Sequence, residues 1–210
     1  MVGMELPWPV SSRPESSLAQ RKRQLVSNEL TEAALRLLAL KGFDAVTVDE
    51  IVSTAGVSKR TFFRYFASKE DVVVQFLTEM GTGIHAELAA RPGEERPSVA
   101  LKAAVSVPIA ACVDHADRAL RVVQLILRTP ALHARFLERQ AQWHDDLTAE
   151  LARRPGSAPD TDLYPQMAAG MALTAFNTVL QRWSDSDSAE DPTGLIDRTF
   201  ALISPALDAR

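Results

Sequence analysis

TVDEIVSTAGVSKRTFFRYFASKED occupies residues 47–71, and its reading decides the fold. Thr47 opens T-V-D-E with Glu50 at the third helical position, the signature of a capping box. The short helix that follows ends near Ala55, and Gly56 supplies a turn. Ser58 caps a second helix expected to run to about Phe66, and Ser68 opens a third through S-K-E-D. Two short helices joined by a glycine-containing turn make a helix-turn-helix.

The second helix carries two chemistries. At about 100° per residue, with Thr61 at 0°, Phe62 and Phe66 fall near about 100° and 140°. Arg60 and Arg64 fall near about −100° and −60°, and Tyr65 near about 40°. The aromatic stripe is therefore expected to anchor the helix, and the face from Arg60 through Thr61 to Tyr65 to look outward. Lys69 stands at the first position of the next helix, where a cation opposes the helix dipole. The same place offers free N–H groups to a phosphate, so Lys69 is expected beside an anion. An amphipathic helix with a solvated basic face is the plainer account, and the successive caps around one glycine turn argue against it.

The rest of the chain supports an outward-facing basic head. Net charge over 210 residues is −4, but residues 18–69 hold nine basic residues against five acidic, a local charge of +4. From Gly81 onward the balance is 13 basic against 17 acidic. Such asymmetry says more about partners than the total does. Apolar residues make up 46%, ordinary for a soluble globular chain. No run of 18 apolar residues suggests a membrane span, and no signal-peptide pattern is visible. A lone Cys112 fits a reducing compartment. A cytoplasmic protein is expected, with no membrane partner.

Helical periodicity continues on both sides. Residues 1–17, rich in Pro and Ser, read as a mobile arm. Leu18–Lys41 is a helix closed by Gly42. Beyond the helix capped by Ser68, reaching at least to about Ala90, helices are expected over Ser98–Val113 with a kink at Pro108, Arg118–Arg128, Pro130 to about Arg154, Asp162–Ser184, and Pro192 to about Leu207. Thr129-Pro130 reads as a cap followed by proline at the first helical position. No strand pattern and no repeat is found. The fold class is all-α: a helix-turn-helix DNA-binding domain over 18–66 and a helical ligand-binding and dimerisation domain over 67–210.

Residues 47–71 resemble the DNA-binding core of TetR-family transcriptional repressors. The shared pattern is a Thr-capped second helix, a G-V-S turn, a T-F-F-R-Y-F recognition helix and S-K-E opening the fourth, and the likeness covers about Ala33 to Leu77. The resemblance implies a three-helix head on a ligand-binding bundle, a homodimer built by the last two long helices, a double-stranded palindromic operator, and a small-molecule effector. It implies phosphate contact for Thr47, Tyr65 and Lys69, and base or phosphate contact for Ser58, Lys59, Arg60, Thr61 and Arg64. Phe63 stands where the family often has a phosphate-binding Tyr, which implies that this contact is either lost or replaced by packing against sugar, with Arg60 and Arg64 as the compensating charges. The C-terminal half, RTPALHARFLERQAQWHDDLTAELARR, is similar to an actinobacterial subgroup of mycofactocin-system regulators, which implies an acyl-CoA-like or other hydrophobic effector. Leu125, Trp143, Met167, Met171 and Phe176 are the candidate ligand contacts. A stripe such as Met167, Met171, Phe176 and Trp183 is, by its spacing, more often bundle core or dimer interface.

Catalytic signals are missing. There is no Gly-rich phosphate loop, no HExxH and no GxSxG. Among His85, His115, His133 and His144, the last two lie about 16 Å apart on one helix and cannot share a metal. His144-Asp145-Asp146 reads as a solvated helix edge, and Cys112 as a small buried hydrophobe. No metal, cofactor or enzymatic activity is expected. Two rivals remain: a helical small-molecule-binding module with an idle basic patch, and a bundle enzyme using His144 and Asp145.

Overall fold

The computed structural model describes residues 18–111, 116–155, 163–186 and 190–209, and the expected N-terminal arm, Cys112 and His115 lie outside them. The described residues form helices without a strand: α1 Leu18–Lys41, α2 Val48–Ala55, α3 Lys59–Phe63, α4 Lys69–Ala90, α5 Pro97–Ala110, α6 Ala116–Arg128, α7 Pro130–Ala152, α8 Tyr164–Asp185 and α9 Pro192–Leu207. No helix among them is long and apolar enough to cross a membrane.

Local chemistry sets most of the boundaries. The N–H of Gly42 reaches the carbonyl of Leu38 at 2.9 Å, and its φ of 85° is one that a side chain rarely tolerates. Thr47 Oγ1 accepts from the Glu50 N–H at 3.3 Å while the Glu50 carboxylate accepts from the Thr47 N–H at 3.0 Å, completing the capping box. Gly56, at φ 66°, ends α2. Ser58 accepts from the Thr61 N–H at 3.1 Å and Ser68 from the Asp71 N–H at 3.2 Å. The Asp191 carboxylate caps α9 through the N–H groups of Thr193 and Gly194.

α6 starts at Ala116 rather than Arg118, α7 stops at Ala152 rather than about Arg154, and three further helix ends are not built as expected. α3 stops at Phe63 rather than Phe66, although the Phe66 N–H still reaches the Phe62 carbonyl at 3.0 Å. Thr129 precedes α7 in an extended conformation without a side-chain cap bond. α5 begins at Pro97 with no local cap, and its free amide at Ser98 donates instead to Asp208 Oδ1 at 3.0 Å, from beyond the end of α9. That partner is 110 positions away in sequence.

Packing centres on α4, which lies against α1, α5 and α7. α7 packs on α8, α8 on α9, and α6 bridges α1 and α7. One apolar core runs from Leu30 of α1 to Leu207 of α9. α4 and α7 approach closely because Gly81 has no side chain: a Cβ there would collide with Nε1 of the Trp143 indole. Arg154, buried after α7, donates to the carbonyls of Leu88 at 3.0 Å and Pro92 at 3.3 Å, tying the end of α7 to the last turn of α4 and the loop after it.

Candidate nucleic-acid interface and effector cavity

The division of labour on α3 follows its helical phase. Phe62 is fully buried and Phe66 nearly so, their rings 5.5 Å apart. Arg60 and Arg64 are exposed, and Thr61 is half-buried with its hydroxyl 2.9 Å from that of Ser58. Phe63 is 54% exposed, its ring held edge-on against Phe62 at 5.4 Å. A large ring left in water next to two exposed guanidiniums is an unusual surface. It suits the apolar and charged edges of a nucleic-acid groove.

Neighbouring groups shape this surface. Arg64 lies over the half-buried Tyr65 ring at 5.1 Å and donates to its hydroxyl at 3.4 Å. Arg23 of α1, which sequence reasoning does not single out, lies 5.9 Å from the same ring. Its signal is only membership of the basic cluster Arg21-Lys22-Arg23. Lys59 pairs with Asp49 at 2.8 Å, both exposed, a weak tie between α3 and α2. Thr47 and Ser58 have their hydroxyls in caps. Lys41 hydrogen-bonds Glu50 at 2.7 Å and, with the Thr47 backbone bond, holds the Glu50 carboxyl down to about 2.

Lys69, expected beside a phosphate, is engaged within the head. Its ammonium donates to the carbonyl of Phe43 at 2.6 Å and of Val46 at 3.0 Å, and lies 4.4 Å from the Phe43 ring. Those carbonyls follow α1 and lack helical partners, so the cation that looked unfavourable at the start of α4 has backbone dipoles to solvate it.

A second feature lies where α1, α4 and α6 meet. A cavity of about 90 Å³ is walled by Leu35 of α1, Phe76, Leu77 and Met80 of α4, Val122 and Ile126 of α6, and Phe136, Phe176 and Leu180. Of the five expected ligand contacts, Phe176 alone lines it. Leu125 is buried in the core outside the lining, and Trp143 packs on Gly81 and edge-on to Phe176 at 6.4 Å. Met171 packs partly buried on the core, and Met167 is 60% exposed. Of the stripe on α8, Phe176 reaches the cavity, while the helical phase turns Met167 toward solvent and Met171 and Trp183 toward packing.

Arg118 is the one charged residue in that lining among the described residues, and it pairs with Glu32 of α1 at 3.3 Å. The sequence holds a signal for it. Arg118, Val122 and Ile126 recur every four residues, a cation on an otherwise apolar stripe.

His144 is more than a solvated edge, because its Nε2 lies 3.0 Å from the Gln166 carbonyl and ties α7 to α8. No cluster of three or more metal-ligating side chains occurs among the described residues.

Comparison with known proteins agrees with this arrangement. Residues 30–76 match the family described as bacterial regulatory proteins, tetR family, and residues 95–208 match the MftR C-terminal domain. The HTH-type transcriptional regulator TcmR of Streptomyces glaucescens is 31% identical over 79% of this chain and 76% of its own. The mycofactocin biosynthesis transcriptional regulator MftR of Mycobacterium tuberculosis is 29% identical over 93% of this chain and 98% of its own. The solved fatty acid degradation regulator FadR of Bacillus halodurans shares the fold, with a TM-score of 0.65 at 22% identity over 88% of this chain and 97% of that one. FadR of Bacillus subtilis, solved with stearoyl-CoA, superposes with a TM-score of 0.64 at 21% identity over 86% and 97%. A helix-turn-helix head with a basic recognition face, joined to a bundle matched by a regulator family along 95–208, makes this chain a member of the TetR family of bacterial regulatory proteins, a DNA-binding transcriptional regulator.

Proposed function

We propose that the chain is a cytoplasmic homodimeric repressor that seats two α3 helices in successive major grooves of a palindromic operator, and that a hydrophobic or acyl-type effector in the α1–α4–α6 cavity releases it. The observation that carries this is the joint exposure of Arg60, Phe63 and Arg64 on a helix anchored by buried Phe62 and Phe66. On this reading residues 18–66 form the DNA head and 67–210 the effector and dimer part. Arg60, Thr61, Phe63 and Arg64 face bases or sugars, and Lys59, Tyr65 and Arg23 face phosphates. Thr47 and Ser58 present capped helix starts, and Lys69 works inside the head. The stearoyl-CoA held by Bacillus subtilis FadR, a protein of the same fold, favours an acyl effector.

A second copy has a place to dock. A shallow groove between α8 and α9 is lined by Thr178, Val179, Leu195, Thr199 and Leu202, flanked by Arg182 and Arg198 paired with Glu190, and Leu202 is 81% exposed. Light scattering on the purified chain should give twice the 23.0 kDa chain mass. Selection of duplexes from a random library should return an inverted repeat. Recovery of no duplex preference at any salt concentration would refute the operator reading.

A further inference from the structure

The cavity and the DNA head share a wall and an ion pair. Leu35 of α1 lines the cavity, and Glu32, three positions earlier on the same helix, holds the charged lining residue, Arg118 of α6. The pair is largely sheltered, with 24% of the Arg118 side chain and 19% of the Glu32 side chain exposed. A sheltered charge pair is sensitive to replacement of either partner. The cavity is small: about 90 Å³, against roughly 150 Å³ for an apolar cavity known to bind benzene. Any longer chain must push its walls apart, and α1 is one of them.

We infer that the cavity takes an apolar chain bearing an anion, and that this anion displaces Glu32 from Arg118, so that Glu32–Arg118 is a latch between α1 and α6. The inference rests on reading the cavity as the effector site. An apolar chain alone fills the space but leaves the ion pair closed. An anionic chain supplies Arg118 with a substitute partner while its tail wedges between Leu35 and Val122, and the released Glu32 turns to solvent. The chemistry required is a carboxylate, or the phosphates of a nucleotide thioester, on a hydrocarbon tail.

The test uses the full chain, a duplex selected on it, and three probes with one tail: dodecanol, dodecanoate and dodecanoyl-CoA. Binding is read by titration calorimetry, and DNA affinity by fluorescence anisotropy. At least one anionic probe should bind about tenfold or more tighter than dodecanol, as one charge-assisted pair allows, and should weaken the duplex. Whichever anion does so identifies its source. In Arg118→Gln the advantage over dodecanol should vanish. In Glu32→Gln, where Arg118 has lost its competitor, the anion should bind tighter than to the wild type and the duplex more weakly even without ligand. The exchange Glu32→Arg with Arg118→Glu keeps a pair and should prefer dodecylammonium, which guards against a single variant that fails to fold. Equal binding of dodecanol and both anions, or an anionic advantage that survives in Arg118→Gln, overturns the latch while leaving an apolar effector site standing. Failure of all three probes to bind overturns the effector reading itself.

Discussion

Lys69 and Phe43 are joined twice, by a 2.6 Å hydrogen bond from the ammonium to the carbonyl and by the cation's position 4.4 Å from the ring. The start of α4 is thereby clamped to the turn between α1 and α2. Lys69→Ala should lower stability by about 2 kcal/mol, through lost charge-assisted bonds and the ring contact. The slope of log K for DNA against log salt should stay at its wild-type value. A slope reduced by about 0.9 per subunit would instead mean that Lys69 neutralises a phosphate.

Arg60 makes no ion pair among the described residues and is exposed, so its removal is expected to leave folding untouched. Arg60→Ala should weaken operator binding about tenfold or more, within the roughly 1–3 kcal/mol of a bidentate arginine–guanine contact. Arg64→Ala should do the same, with a small added loss from the Tyr65 ring contact. Titration of both variants with melting curves alongside separates binding from folding.

Phe62, Phe63 and Phe66 divide by burial. Phe62→Ala or Phe66→Ala should cost about 3–5 kcal/mol and abolish DNA binding together with the native melting transition. Phe63→Ala, at a 54% exposed site, should melt near the wild type and still lose affinity for the duplex. If Phe63→Ala binds the selected duplex as the wild type does, the ring is a bystander.

Glu50 makes the head acid-sensitive. Its folded carboxyl is lowered to about 2 from 4.5, first by the Lys41 hydrogen bond and then by the Thr47 amide. A depressed folded value means that its stabilising contribution is complete above the ordinary carboxylate range and is lost as pH falls toward 2. In Glu50→Gln the fall in melting temperature between pH 4.5 and 2 should be shallower than in the wild type. Parallel curves for the two proteins would show that the capping box does not titrate with folding.

Gly81 is a spacing residue. Gly81→Ala would drive a methyl group into Nε1 of Trp143, so α4 and α7 must separate. Overpacking of this kind costs typically about 1–3 kcal/mol. The Trp143 emission should shift as its contact with Gly81 opens, with Trp183 as the internal reference.

The head was legible because its signals are local. Thr47, Ser58 and Ser68 announce helix starts within three residues of the amides they cap, and Gly42 and Gly56 announce ends. The phase of α3 likewise sorted buried Phe62 from exposed Arg60 without tertiary information. The cavity was not legible, because it is assembled from Leu35, Phe76, Val122 and Phe176, which lie far apart in the chain. Periodicity shows that Phe176 and Met171 face inward or sideways on α8, but not which neighbour leaves space. The partners of Lys69 within the head were hidden for the same reason. Its carbonyl partners lie 26 and 23 positions earlier, and only the folded turn brings them under the ammonium.

α4 is also a lever. Its 22 residues span about 33 Å. The far end is pinned by Arg154 to the Leu88 carbonyl, and the near end carries the Lys69 clamp. Phe76, Leu77 and Met80, the cavity wall, lie about 10–17 Å from the near end. A pivot of about 5° at the Arg154 end therefore needs the wall to yield by about 2 Å at most, yet it carries the Lys69 end through about 3 Å. That displacement is about the length of a hydrogen bond, so a yield of about 2 Å at the cavity wall would be enough to shift an α3 helix out of register with the operator proposed for it.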